Sequence, residues 1–436
     1  MRKKLFAAIA ALCILCLCLC ACNKNENTDE PAAPLVYTRA LSFASGPDIG
    51  GAVASLQQNA VKDDGYDYDE QNPMSEKPVY VQLSNSATTA SYESEEPLPD
   101  GYVDVSGDIV HIRRAGTYVL TGTLTDGQIN VGTDDRVQLI FRGVNVHCSD
   151  RPAVEIFGSG KKILTMAAGT ENFLSDDKER TDSTKNGVIR AAHAVTIDGT
   201  GALSLTARFG SAIDAGAIKI IGCDLTVTET SSAAFRSGAF ILFSGSHATI
   251  RATGLTLSAA DEVISSASTL SLTGGIEGRD VFFDGTTLHL ASRSDGVVAS
   301  RLISAQNSAL YLDVAGDGLR ADGENPKSID GIVRLFGCYL EVADGDDGIR
   351  ARYFTLSGGG TLLCYGEGAQ ITITDGADLI LPITEFYFVD ALTSGRNVRI
   401  GERTAALSKN CRVLVYSGPA TAKTELFVDD ELFATL

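Results

Sequence analysis

Three Asp-Gly dipeptides recur late in the chain, as Asp295-Gly-Val, Asp317-Gly-Leu and Asp347-Gly-Ile, and Asp344 and Asp346 flank Gly345 just ahead of the third. If the segments that carry them stack, carboxylates one layer apart repel by roughly 1 kcal/mol per pair even in water. Ca²⁺ is a good candidate to offset that repulsion, because it accepts roughly six to eight oxygen ligands in flexible geometry. Asp295, Asp317, Asp344, Asp346 and Asp347 are therefore the expected ligands of a structural calcium ion. The same dipeptide is also sound corner chemistry without metal, with Asp bonding its own backbone and Gly accepting a positive φ.

Other reactive patterns are sparse. The five histidines, at 111, 147, 193, 247 and 289, occur singly and form no His-Glu-x-x-His pair. Gly158-Ser-Gly-Lys-Lys162 approaches a phosphate loop, but Glu155 replaces the upstream Gly and Lys162 the final Ser or Thr. A lyase acting beside calcium needs a basic side chain; Arg279, Arg350 and Arg352 are available, yet alternation reads them as outward solubilising residues. No pair of acids can be nominated for glycoside hydrolysis among 55. With no Trp, only Tyr and Phe can offer a flat ring to a sugar, and Tyr311, Tyr339, Tyr353 and Tyr365 are read first as core or cross-coil stacks. No catalytic residue and no carbohydrate contact is assigned.

The elements that must position these residues repeat. Val195-Thr-Ile-Asp-Gly-Thr-Gly-Ala-Leu-Ser-Leu-Thr, Ile218-Lys-Ile-Ile-Gly-Cys-Asp-Leu-Thr-Val-Thr and Ile332-Val-Arg-Leu-Phe-Gly-Cys-Tyr-Leu-Glu-Val share one outline: alternating strand, Gly turn, alternating strand, small or acidic corner. Starts at 195, 218 and 240 set a period near 22, with an insertion around Gly323 to Asp330. Such a period in short alternating strands predicts an all-β parallel β-helix. An antiparallel sandwich is the rival, but hairpins would impose no common period. Aligning the coils places Ser211, Ala233, Glu262, Asp295, Asp317 and Asp347 at one corner, each ahead of an inward apolar residue. Residues 370–436 keep strand character but lose the period, as a small C-terminal β cap would.

Arg2, Lys3 and Lys4 precede an uncharged run to Ala21, and Leu19-Cys20-Ala21-Cys22 has the form of a lipoprotein cleavage site. Residues 1–22 are thus expected to be a signal peptide with lipidation at Cys22, and 23–99 a polar tether in which Leu35–Leu41 and Val79–Leu83 can dock as strands. Residues 100–369 form the β-helix. The expected place is the outer face of a bacterial cell membrane, held only by the lipid. A formal net charge of −19 sets aside nucleic-acid partners. Cysteines 148, 223, 338, 364 and 411 show no zinc spacing and read as buried, unpaired small residues.

The run Ala115-Gly-Thr-Tyr-Val-Leu-Thr-Gly-Thr-Leu-Thr-Asp-Gly-Gln-Ile-Asn-Val131, then Val137 to Val146 and Ala168 to Asp176, resembles the clostridial family of carbohydrate-binding β-helix lipoproteins. The resemblance spans about 101–370. It implies a calcium-containing right-handed parallel β-helix on the cell surface that binds acidic pectic chains or cellulose, related to pectate-lyase-like folds without an established catalytic set. The middle coils depart from the family pattern at Ser211-Ala-Ile, Ala233-Ala-Phe and Glu262-Val-Ile. The expected function is non-catalytic polysaccharide binding; the alternatives are a polysaccharide lyase or hydrolase on the same scaffold, or a purely adhesive module.

Overall fold

A computed structural model describes residues 35–39 and 70–435, apart from 94, 95, 97, 181, 183, 185, 324–329, 375–382 and 419–424. The signal segment, Cys22 and most of the tether lie outside the described residues. The described chain is all β, and it coils about 12 times at about 22 residues per turn, as the repeat predicts.

Each full coil contributes strands to three parallel sheets. The first sheet runs from Ile109–Ile112 through Val154–Ile156, Phe235–Ser237 and Val297–Ala299 to Ile349–Ala351 and Ile371–Ile373. Its inward residues stack in register, as in Ile213 opposite Phe235, Phe235 opposite Leu257, and Val297 opposite Leu319 and then Ile349. All of these are fully buried, so every coil shares one core column with its neighbours. The second sheet stacks Ile218 on Ile241, Val263, Val281, Ile303, Val333 and Phe354. The third stacks Leu203 on Leu225, Ala248, Leu270, Leu288, Leu310, Leu340 and Leu362.

The turn between the second and third sheets carries a residue with φ near the left-handed region in successive coils: Gly222, Gly245, Ala267, Gly285, Asn307, Gly337 and Gly358, the last followed by a second, Gly359. The amide of each of the first six donates to a carbonyl of the next coil, from Gly222 to Ser244 through Gly337 to Ser357. This is the Gly turn of the repeat. Next to it runs a buried column, Cys223, Ser246, Ser268, Thr286, Ser308 and Cys338, whose hydroxyls and thiols bond nearby carbonyls or amides. Cys148, Cys223, Cys338, Cys364 and Cys411 are all free and buried.

Both ends are covered. Val79–Leu83 lies parallel to Tyr118–Gly122 with Val79, Val81 and Leu83 in the core, so apolar stacking begins inside the 23–99 segment. At the other end Cys411–Ser417 pairs antiparallel with the last third-sheet strand, Thr361–Gly366, and then with Ile383–Leu392, whose outer edge is taken by Leu35–Arg39. Antiparallel pairing stops the parallel ladder from propagating to another molecule. A separate four-stranded sheet, Asn397–Ile400, Arg403–Ala406, Glu425–Val428 and Glu431–Thr435, shares a small core with the outward-facing Ala343, Leu363 and Tyr365 of the third sheet.

Candidate functional site

The acidic corner forms, but as a ladder and not as a cage. Asp295 Oδ1 accepts the amide of Asp317 at 2.9 Å, and Asp317 Oδ1 accepts the amide of Asp347 at 3.2 Å. The other Asp295 oxygen is paired with Arg320. Each carboxylate thus bonds the peptide of the next coil, where the sequence suggested its own. Nor do Gly296, Gly318 and Gly348 have positive φ. A Cβ on Gly318 would stand 2.5 Å from the Gly348 carbonyl and from Val342, so it is close approach that demands glycine here.

Burial pushes Asp317 up to about 6, aided by the charges of Asp295, Asp347 and Asp346 and opposed by the Asp347 amide. Burial likewise pushes Asp344 up to about 8, with Asp347 and Asp317 adding to it and Gln370 and Lys409 opposing. Asp347 is also raised, chiefly by burial. Asp346 is exposed. Among the described residues no three His, Cys, Asp or Glu side chains converge so as to hold a metal ion. Peptide donors and Arg320 offset part of the repulsion. Two buried oxygens, Asp344 Oδ2 and Gln370 Oε1, have no hydrogen-bond partner.

Glu262 does not belong to the corner. It pairs in the second sheet with Phe240 and Asp280, while Leu255 and Gly274 stand ahead of the inward Leu257 and Ile276. In Glu262-Val-Ile the inward residue is Val263, one place after the acid, whereas at the corner the inward Val297, Leu319 and Ile349 come two places after it. The candidate bases are also committed. Arg279 faces Asp261 at 2.5 Å, Glu262 at 3.2 Å and Asp280 at 3.4 Å, and Arg350 pairs with Asp322 at 3.3 Å. Arg352 is buried against the Tyr353 ring, not outward in solvent as alternation suggested.

The larger feature is a groove of about 970 Å³ running along the coils over the first sheet. Its row of outward residues, one per coil, is Arg190, Asp214, Arg236, Ser258, Glu277, Val298 and Arg320. Beside that row, Ala192, Gly216, Gly238 and Ala260 are too small to fill the channel. Arg190 is steadied by Glu155 at 3.2 Å and Asp214 by Asn186 at 3.0 Å. Arg236, midway, is exposed. Polar groups therefore recur at the coil spacing of about 4.8 Å. This row was missed from sequence, although it sits one residue after the inward Ile189, Ile213 and Phe235 and repeats with them.

Residues 106–276, which include most of this groove, match the model of a family described as carbohydrate-binding domain-containing protein. A protein of that same description from Acetivibrio thermocellus is 30% identical over 133 residues, 29% of this chain, and the match spans about half of the relative's length, 46%. A solved structure described as a polysaccharide lyase-like protein from C. thermocellum, a gadolinium derivative, aligns with 56% of this chain and 93% of its own at 22% identity and a TM-score of 0.41. The likeness read from the opening coils is thus found again, over residues 106–276, in the carbohydrate-binding domain-containing family.

Proposed function

We propose that the protein is a lipid-anchored, non-catalytic surface module that holds an acidic polysaccharide along the first-sheet groove. The observation that carries this reading is the exposed Arg236 midway along an open channel, in a row whose Arg190 is held by Glu155 and whose Arg320 is held by Asp295 and Asp322. Guanidinium groups pair with carboxylates in two-point fashion, and the acidic and hydroxyl members of the row accept from sugar hydroxyls. A glycan laid along the axis meets a new set of these groups with each coil. The reading carries no step through calcium. Binding rather than turnover is supported by Arg279, which three carboxylates hold in place.

The test is retention on polygalacturonate. Arg236→Ala is expected to weaken it about tenfold, the loss of one charge-assisted pair, with the melting temperature unchanged because Arg236 is exposed. Equal retention by Arg236→Ala and Arg190→Ala would remove the groove from the reading. Release of unsaturated product that disappears in an Arg279 variant would make the protein a lyase. The anchor is tested separately. Cys22→Ala is expected to leave the precursor uncleaved and free of acyl mass in the membrane fraction.

A further inference from the structure

The third sheet carries an aromatic shelf that the groove does not use. In register along its outer surface stand Ser271, His289, Tyr311 and Glu341. The His289 and Tyr311 rings stack at 4.7 Å with an interplanar angle of 6°, and Tyr339 leans on Tyr311 at 5.4 Å. Arg403 of the terminal sheet closes the far side of Tyr339 at 4.6 Å. The stack is thus supported from one end. At the other end the preceding coil offers only Ser271, which leaves that face of the exposed His289 ring uncovered, and the His289 and Tyr311 rings line a cavity of about 350 Å³ that reaches Ala406 and Ser408.

We propose that this cavity is a second glycan subsite, for an uncharged pyranose with equatorial substituents, such as a β-linked glucosyl or xylosyl unit. Such a ring presents an apolar C–H face, which stacks on an aromatic plane. Ser271 and Thr273 line the cavity in the coil before His289, and the Asp313 and Glu341 carboxylates line it one and two coils after His289, to receive hydroxyls along a glycan chain. The same two carboxylates repel a uronate, which separates this subsite's ligand from that of the groove. Tyr339 donates to Glu341 at 2.7 Å and Lys409 pairs with Asp313 at 3.2 Å, so both acids are fixed in place. The subsite rests on the carbohydrate-binding reading but not on the groove.

The experiment titrates the purified protein, labelled at its five His rings, with cellohexaose, xylohexaose and mannohexaose, and in parallel measures retention on polygalacturonate. A shift of the His289 resonances with at least one neutral glycan is expected. His289→Ala and Tyr311→Ala should weaken that binding about tenfold, Tyr311→Phe should preserve it, and none should alter polygalacturonate retention. If His289 does not respond to any of the three while polygalacturonate is retained, the shelf is refuted and the groove stands. A response at His289 without polygalacturonate retention leaves the shelf and removes the groove. Neutral binding that is undiminished in His289→Ala and Tyr311→Ala also refutes the shelf.

Discussion

The Asp344 carboxyl is 1% exposed, with one oxygen bonded to Gln370 and the other bonded to nothing. Its folded-state pKa lies near 8, above the ordinary 3.8, so between about pH 4 and 8 the folded chain holds more protons than the unfolded one. Stability therefore falls as pH rises through that window and levels off above it. Asp317, raised to about 6, adds a contribution of the same sign that is complete by about pH 6. Asp344→Asn, which substitutes a donor for the unpartnered oxygen, should raise the melting temperature at pH 8 and change it little at pH 4. A melting temperature of the wild type that rises with pH would reject this. The same melts in EGTA and in millimolar Ca²⁺ examine the metal directly. Stabilisation by Ca²⁺ of the wild type but not of Asp344→Asn would put an ion on this carboxylate. Otherwise the proton is what neutralises it.

At the scale of the coil, glycine has two different duties, and the sequence does not distinguish them. The Gly turns between the second and third sheets need positive φ, and Ala267 occupies that conformation at φ 47°. Ala267→Gly should therefore be neutral or stabilising, by up to about 1 kcal/mol. Gly318 needs space instead, since an added Cβ meets backbone at 2.5 Å, whereas Gly254 has nothing within 4 Å and no positive φ. Gly318→Ala should cost about 1–3 kcal/mol, and Gly254→Ala nothing. Chemical denaturation of the three variants measures all of this, and equal effects at 318 and 254 would mean the coils are not in the contact described. The contrast shows what was legible. Period, inward residues, buried cysteines and the C-terminal loss of register follow from alternation and composition, which are local. Which corner a residue occupies is not local, and Glu262 was misplaced for that reason. The bond from Asp295 to the Asp317 amide depends on the neighbouring coil, as does the stack of His289 on Tyr311.

Over the whole molecule, a net charge of −19 opposes any polyanion, while the groove sets arginines directly against it. These two effects differ in range. The repulsion is summed over the surface and acts across a Debye length, about 30 Å at 0.01 M salt and about 8 Å at 0.15 M. The arginine pairs act at contact and are weakened appreciably only when the screening length approaches about 3 Å, near 1 M. Binding of polygalacturonate should therefore strengthen as salt rises from 0.01 to about 0.15 M, and weaken again towards 1 M. Arg236→Ala should lower the whole curve without moving its maximum, because it removes a contact and barely changes the total charge. Binding of a neutral hexasaccharide on the His289 shelf should be flat throughout, since no net charge is brought together there. A polygalacturonate affinity that falls steadily from the lowest salt would mean that the arginines dominate at long range as well. Steering by a local basic field would then replace the contact account of the groove.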